Sequence, residues 1–164
     1  MLISASCSSS NPKVCELYRA QNLAHLVVPV NSHFVTDVKL QRNTLLLIFN
    51  ISFDSSLGKG QIVRSKGVEA VIDAVTRNID NEPDGTVVVV HGMGCLFDIL
   101  RTPPMPFQPK DAGTCLEIGA IRKVRDMAMA RGIKGMLERI KGKEWKVKGV
   151  ELQGMAEVMM TGMD

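Results

Sequence analysis

The feature that most constrains the fold is a recurring order of apolar helix, polar break and second helix, with a glycine or asparagine at the turn. It is clearest over 44–80 (TLLLIFNISFDSSLGKGQIVRSKGVEAVIDAVTRNID), and it recurs around 99–129 and before residue 31. Self-similarity at a period of roughly 40 to 50 residues is typical of helical solenoids, whose units pack mainly on their neighbours. The sequence therefore predicts an all-α solenoid.

The three units can be aligned so that their apolar positions match. This alignment places Leu23, Val68 and Ile121 at equivalent positions, and the differences in length between the units then fall in the polar breaks. The second unit has the clearest amphipathic spacing, at i, i+3, i+4 and i+7, which predicts a helix with one buried face; its apolar positions are Val68, Val71, Ile72 and Val75. The register predicts one domain over 1–164, with repeats at about 11–53, 57–101 and 111–161.

An α/β domain is the alternative. Four consecutive valines at 87–90 favour a strand by propensity. In this reading 24–30, 44–51 and 86–90 are parallel strands of a short sheet, and the glycine-rich turn near His91 binds a small ligand. Pro29 and the repeat register favour the helical reading instead.

Three segments resemble armadillo repeats. NLAHLVVPV followed by LQRNTLLLIFNIS resembles the second and third helices of one repeat, and GKGQIVRSKGVEAVIDAV and KDAGTCLEIGAIRKVRDMA resemble the first and second helices of later ones. The resemblance implies a right-handed superhelix of three-helix units, whose third helices line a concave groove. In members that bind extended peptides, an asparagine near the end of the third helix holds the ligand backbone, and a tryptophan one turn earlier packs against its side chains.

Four residues follow from this resemblance as candidate partner-binding residues. Asn50 matches the asparagine position, and its amide can both donate and accept hydrogen bonds. Asp98 takes that position in the next repeat, where it would accept from a basic ligand. Arg42 and His91 come about two turns earlier and are expected on the same groove face. Leu46 and Gly94 stand where tryptophans would be.

The net charge and the aromatic content bear on which class of molecule the protein binds. A net charge of +3 gives no general case for nucleic acid, and aromatic residues make up only 4% of the chain. The predicted partner is a protein or an extended peptide, or a second copy that covers apolar surface at the end repeats. A basic C-terminal segment is the alternative, binding nucleic acid or another anionic surface; it contains Lys134, Arg139, Lys141, Lys143, Trp145, Lys146 and Lys148.

Neither catalysis nor a cofactor is predicted. Cys7, Cys15, Cys95 and Cys115 show no metal-ligand spacing, so we expect free thiols in an intracellular protein, in the cytoplasm or the nucleus. Gly58-Lys59-Gly60 lacks the spacing of a phosphate-binding loop. No apolar run approaches the roughly 20 residues of a membrane helix, so no membrane insertion is expected. The sequence predicts a non-enzymatic interaction scaffold.

Overall fold

The computed structural model describes residues 12–101, 113–145 and 150–163, and this part of the chain is all-α, as predicted. It contains nine helices and no β-strand. In chain order they are α1 (Pro12–Ala20), α2 (Ala24–His33), α3 (Val38–Ser52), α4 (Ser56–Arg64), α5 (Gly67–Asn78), α6 (Asp84–Leu100), α7 (Ile118–Ala130), α8 (Ile133–Lys141) and α9 (Leu152–Thr161). None of these helices is long and apolar enough to span a membrane.

The α/β alternative is wrong, because its three predicted strands are helical. Residues 24–30 lie in α2, 44–51 in α3 and 86–90 in α6. Within the valine run, Val88 and Val89 are fully buried while Val87 is 39% exposed, which is the pattern of one helix face and not of strand alternation. Strand propensity spans only about 1 kcal/mol per residue, so burial of a continuous helix face outweighs it.

A left-handed residue separates the first and second helix in each successive group of three. These residues are Asn22 (φ 50°), Lys66 (φ 60°) and Gly132 (φ 87°). The third turn does not follow the sequence register, because Ile121 lies within α7, before Gly132, and the helix after the turn begins at Ile133. The register missed this because α7 and α8 both have apolar residues at helical spacing, so spacing alone does not fix which helix is which.

Helices α3, α5 and α6 form the centre of the core. Their fully buried side chains include Leu45, Ile48 and Ile51 on α3, Val71 and Val75 on α5, and Met93, Leu96 and Ile99 on α6. Helices α3 and α6 run in the same direction, because their paired residues advance together along both: His91 lies beside Arg42, and Arg101 beside Asp54. The predicted apolar face of α5 (Val68, Val71, Ile72 and Val75) is buried in full.

The helices α4 and α3 approach closely where α4 passes the end of α3. A Cβ atom built on Gly58 would lie 1.8 Å from the carbonyl oxygen of Ile51. The obstacle is main chain, which cannot rotate away as a side chain can. Gly135 on α8 offers the opposite case, because a Cβ atom there meets nothing within 4 Å.

We expect Gly58→Ala to lower the free energy of unfolding by at least about 2 kcal/mol, because overpacking outweighs the gain in helix propensity. Gly135→Ala should raise it by up to about 1 kcal/mol, because only the propensity changes. Urea denaturation followed by far-UV circular dichroism measures both. Equal effects of the two substitutions would contradict the close approach of α4 and α3.

Candidate functional site

Helices α3 and α6 together present a surface that contains three of the four predicted binding residues. Exposed or half-buried side chains on α3 recur at helical spacing, at Lys39, Arg42, Leu46 and Asn50. On α6 the corresponding row includes Val87 and His91. We call these six residues the α3–α6 face. Of these six residues, Lys39 and Arg42 are cationic and none is acidic; the exposed Asp84 precedes Val87 by one turn at the start of α6.

Arg42 and His91 are brought together, as expected from the sequence. The Nδ1 atom of His91 lies 3.3 Å from the Arg42 carbonyl oxygen, so Nδ1–H is the donor in this contact. Burial lowers the pKa of His91; the Arg42 carbonyl opposes this shift, and the Arg42 charge adds to it. The imidazole therefore resists protonation, and it links the two helices of the face in its neutral form.

The main chain of Asn50 is held by a hydrogen bond from the Arg19 side chain. The guanidinium of Arg19 donates to the carbonyl oxygens of Ile51 at 2.9 Å, Phe53 at 3.0 Å and Asn50 at 3.2 Å. These carbonyls belong to the end of α3, where helical partners are missing and a cation is favourable. Arg19 thus connects α1 to the last turn of α3, and Asn50 is half-buried on the face.

Asp98, the fourth predicted binding residue, lies two turns after His91 on the same side of α6, but it is buried and does not contribute to this face. It is 7% exposed, and one carboxylate oxygen lies 3.1 Å from the ammonium of Lys59, which is 1% exposed. Lys59 also donates to the carbonyl oxygen of Thr114 at 2.6 Å. The pair joins α4, α6 and the segment before α7. Asp98 therefore serves an internal ion pair in this structure.

The surroundings of this pair suppress chemical reactivity. Burial raises the pKa of Asp98, and the Lys59 charge offsets only part of that shift. Since this pKa is higher in the folded state, the fold gains relative stability from this group as the pH falls through the shifted range. Burial and the nearby Asp98 raise the pKa of Cys95 to about 12, so Cys95 is a neutral thiol. Cys15 and Cys115 are also buried and free, and Cys7 lies outside the described residues.

Sequence reasoning missed Lys59, because it placed this residue in the polar break between the two helices of 44–80. The helix α4 in fact starts at Ser56, and Ser55 caps it by accepting a hydrogen bond from the Gly58 amide at 3.1 Å. A serine followed by a helical run is an N-cap signal that would have placed Lys59 inside the helix. Gly58-Lys59-Gly60 is therefore helical and is no phosphate loop.

The basic C-terminal segment is largely engaged within the molecule. Arg139 pairs with Asp80 at 2.7 Å, Lys143 with Glu82 at 2.9 Å and Lys141 with Glu157 at 3.3 Å. The Lys143 ammonium also lies 5.0 Å from the ring centre of Trp145. Lys146 and Lys148 lie outside the described residues. These pairings offset the positive charge that an anionic surface would need.

A cavity of about 320 Å³ opens between the C-terminal ends of α6 and α9. Its lining combines apolar residues, among them Phe97, Leu100 and Met159, with Arg101 and Arg125. No sequence motif predicted it, since its residues come from three helices far apart in the chain.

Comparisons with protein-family models, with curated proteins and with solved structures find no match to this chain. Within the described ranges, no group of three or more His, Cys, Asp or Glu side chains is arranged to hold a metal ion.

We expect Lys59→Met to lower the free energy of unfolding by about 3–5 kcal/mol, because it leaves a buried carboxylate without its cation. The double variant Lys59→Met/Asp98→Leu should recover most of that loss, because it removes both charges. Arg139→Met is the matched control in an exposed pair and should cost less than about 1 kcal/mol. Chemical denaturation of the four proteins checks this, and a double variant as unstable as Lys59→Met would contradict it.

A second prediction follows from the lowered pKa of His91. The folded state binds this proton less readily than the unfolded state, so the stability due to neutral His91 is present above the reference pKa of 6.5 and is lost as the pH falls through the folded-state value. We expect His91→Gln, whose amide can still donate to Arg42, to lose less stability than the wild type between about pH 7.5 and about pH 5. Parallel denaturation curves across this range provide the test, and identical pH profiles would contradict the expectation.

Proposed function

We propose that this chain is a non-enzymatic interaction scaffold that binds a protein or an extended peptide on the α3–α6 face. The observation that carries the proposal is the face itself. Two long helices lie side by side in the same direction, and side chains at helical spacing remain accessible along them. Two parallel rows of side chains on rigid elements suit a ligand that lies along the helices.

We further propose that the fold is an armadillo-like solenoid. Three features support this: the left-handed residue after the first helix of each group, the parallel course of α3 and α6, and the order of short, intermediate and long helices in the first two groups. In this arrangement α3 and α6 are the third helices of successive units. The shift of the third turn to Gly132 requires a longer first helix in the last unit.

The charge of the face supports an acidic partner. Lys39 and Arg42 are exposed, while the only carboxylate predicted here, Asp98, is turned inward onto Lys59. Leu46 and Val87 add apolar surface between the charged and polar groups. We propose an extended segment with acidic and aliphatic side chains as the ligand, since complementary charge favours both the encounter and the choice of partner.

A second copy of the chain is the other candidate partner, and exposed apolar side chains near the ends of the chain support it. Leu17 on α1 is 57% exposed and Val158 on α9 is 59% exposed. Exposed apolar side chains of this size are candidates for contact with a second copy. This association would use surfaces other than the α3–α6 face, so the two modes of binding are separable.

The non-enzymatic part of the proposal is supported by the state of the reactive groups. Lys59 and Asp98 neutralise one another, and Cys95 has a pKa of about 12. A nucleophile or a proton-transfer group needs access to substrate and a pKa near the working pH. These buried groups meet neither condition.

An array of acidic–aliphatic decapeptides, with charge-inverted versions beside them, tests the proposal. We expect binding of the acidic set, with hydrogen-exchange protection at 38–52 and 84–100. Arg42→Glu should weaken the best binder by at least about tenfold, or 1.4 kcal/mol, because it places a like charge on the face. Asn50→Ala should weaken it as well, because the amide is expected to hold the peptide backbone.

Arg122→Glu is the matched control, because it makes the same charge change at an exposed position on α7. It should leave the affinity unchanged. Protection confined to 133–161, or equal binding of acidic and basic peptides, would contradict the proposed face.

A further inference from the structure

Helix α2 is apolar on two opposite sides. On one side Ala24 and Val28 lie in the core, where α2 packs on α3 and α5. On the other side Leu26, Val30 and Phe34 follow one another at intervals of four residues and are 54%, 36% and 47% exposed. We call these three residues the α2 stripe. A helix that is apolar all round is normally buried all round, and an exposed apolar row marks an interaction surface.

The absence of fixed charge on α2 indicates which partner fits the stripe. Among the nine described helices, α2 alone contains no lysine, arginine, aspartate or glutamate. An acidic or basic partner therefore finds no opposite charge on this helix. Two α2 helices placed against each other bring no such charges of like sign together, and like charges are what otherwise opposes the pairing of identical surfaces. A second copy of the chain thus fits the stripe.

The spacing of the stripe is symmetric about Val30. Leu26 lies four residues before it and Phe34 four residues after it, and the Phe34 amide donates to the Val30 carbonyl oxygen at 3.1 Å, so helical spacing extends to Phe34. The Phe34 ring meets the His33 ring edge-on at a centroid distance of 4.9 Å. When a second α2 lies antiparallel across a two-fold axis beside Val30, Leu26 meets the partner's Phe34 and the two Val30 side chains meet each other. The smallest side chain of the stripe is then at the centre, and the larger ones fill the ends.

We propose that the protein forms a two-fold symmetric homodimer in which the α2 stripes of two copies pack antiparallel, with Val30 at the axis. A two-fold interface requires identical patches that complement each other, which the symmetric spacing supplies. Ten residues of helix are only about 15 Å long, so the interface is small and the dimer is weak. This dimer rests on the second-copy association proposed above, assigns it a surface other than Leu17 and Val158, and uses none of the residues of the α3–α6 face.

Sedimentation equilibrium of the full chain between about 10 μM and about 1 mM tests the proposal, and we expect a monomer–dimer equilibrium in this range. Val30→Glu and Val30→Lys should each weaken dimerisation at least about tenfold, because each places two like charges together at the axis. Val158→Glu is the matched control, since it introduces glutamate at an exposed valine on α9. It should leave the dimer intact.

Mixing the two Val30 variants gives a result that a two-fold contact at Val30 predicts. Equal amounts of Val30→Glu and Val30→Lys should associate at least about tenfold more tightly than either variant alone, because opposite charges then meet across the axis. Leu26→Glu changes a more exposed side chain, so it keeps the test decisive if a Val30 variant does not fold. It should also weaken the dimer.

A chain that stays monomeric up to about 1 mM would overturn both this dimer and the second-copy association. A dimer that is insensitive to Val30→Glu and Leu26→Glu, or one that Val158→Glu dissociates, would overturn the α2 interface alone and place self-association on another surface. A mixture no tighter than its components would overturn the two-fold arrangement about Val30. The peptide array remains a separate test, because it probes α3 and α6.

Discussion

The Lys59 ammonium and the Asp98 carboxylate meet at 3.1 Å in a part of the core that water scarcely reaches. Each charge makes the other tolerable there, since either one alone would be costly to bury. Because Lys59 also bonds to the Thr114 carbonyl, the pair fixes three parts of the chain at one point: α4, α6 and the approach to α7. The pair thereby fixes the C-terminal half of α6 against α4.

The burial of Asp98 under Lys59 decides which side chains the surface presents. With Asp98 buried, the accessible part of the face contains Val87 and His91 from α6, and its charged side chains, Lys39 and Arg42, are cationic. The same side chain on the outside would have given a mixed surface suited to a basic ligand. The partner proposed here, an acidic and aliphatic segment, thus follows from a packing interaction in the interior.

Two arginines bind carbonyl oxygens at the C-terminal ends of helices. Arg19 donates to carbonyl oxygens at the end of α3, and Arg125 donates to the Leu100 carbonyl at the end of α6. In both cases a guanidinium satisfies main-chain acceptors that a helix leaves unpaired, and its charge complements the helix dipole. Arg125 also lines the cavity between α6 and α9.

Periodicity in the sequence determined the all-α class and which face of α5 is buried, because apolar spacing along one helix is local information. It also placed Arg42 and His91 near one another, through the alignment of two similar helices. Only the tertiary structure decided that Lys59 is buried, that Asp98 faces inward and that Arg101, Arg125 and Gly162 surround one cavity. Those features arise from contacts between distant segments, and the rotation of each helix about its axis is set by the side chains that it meets.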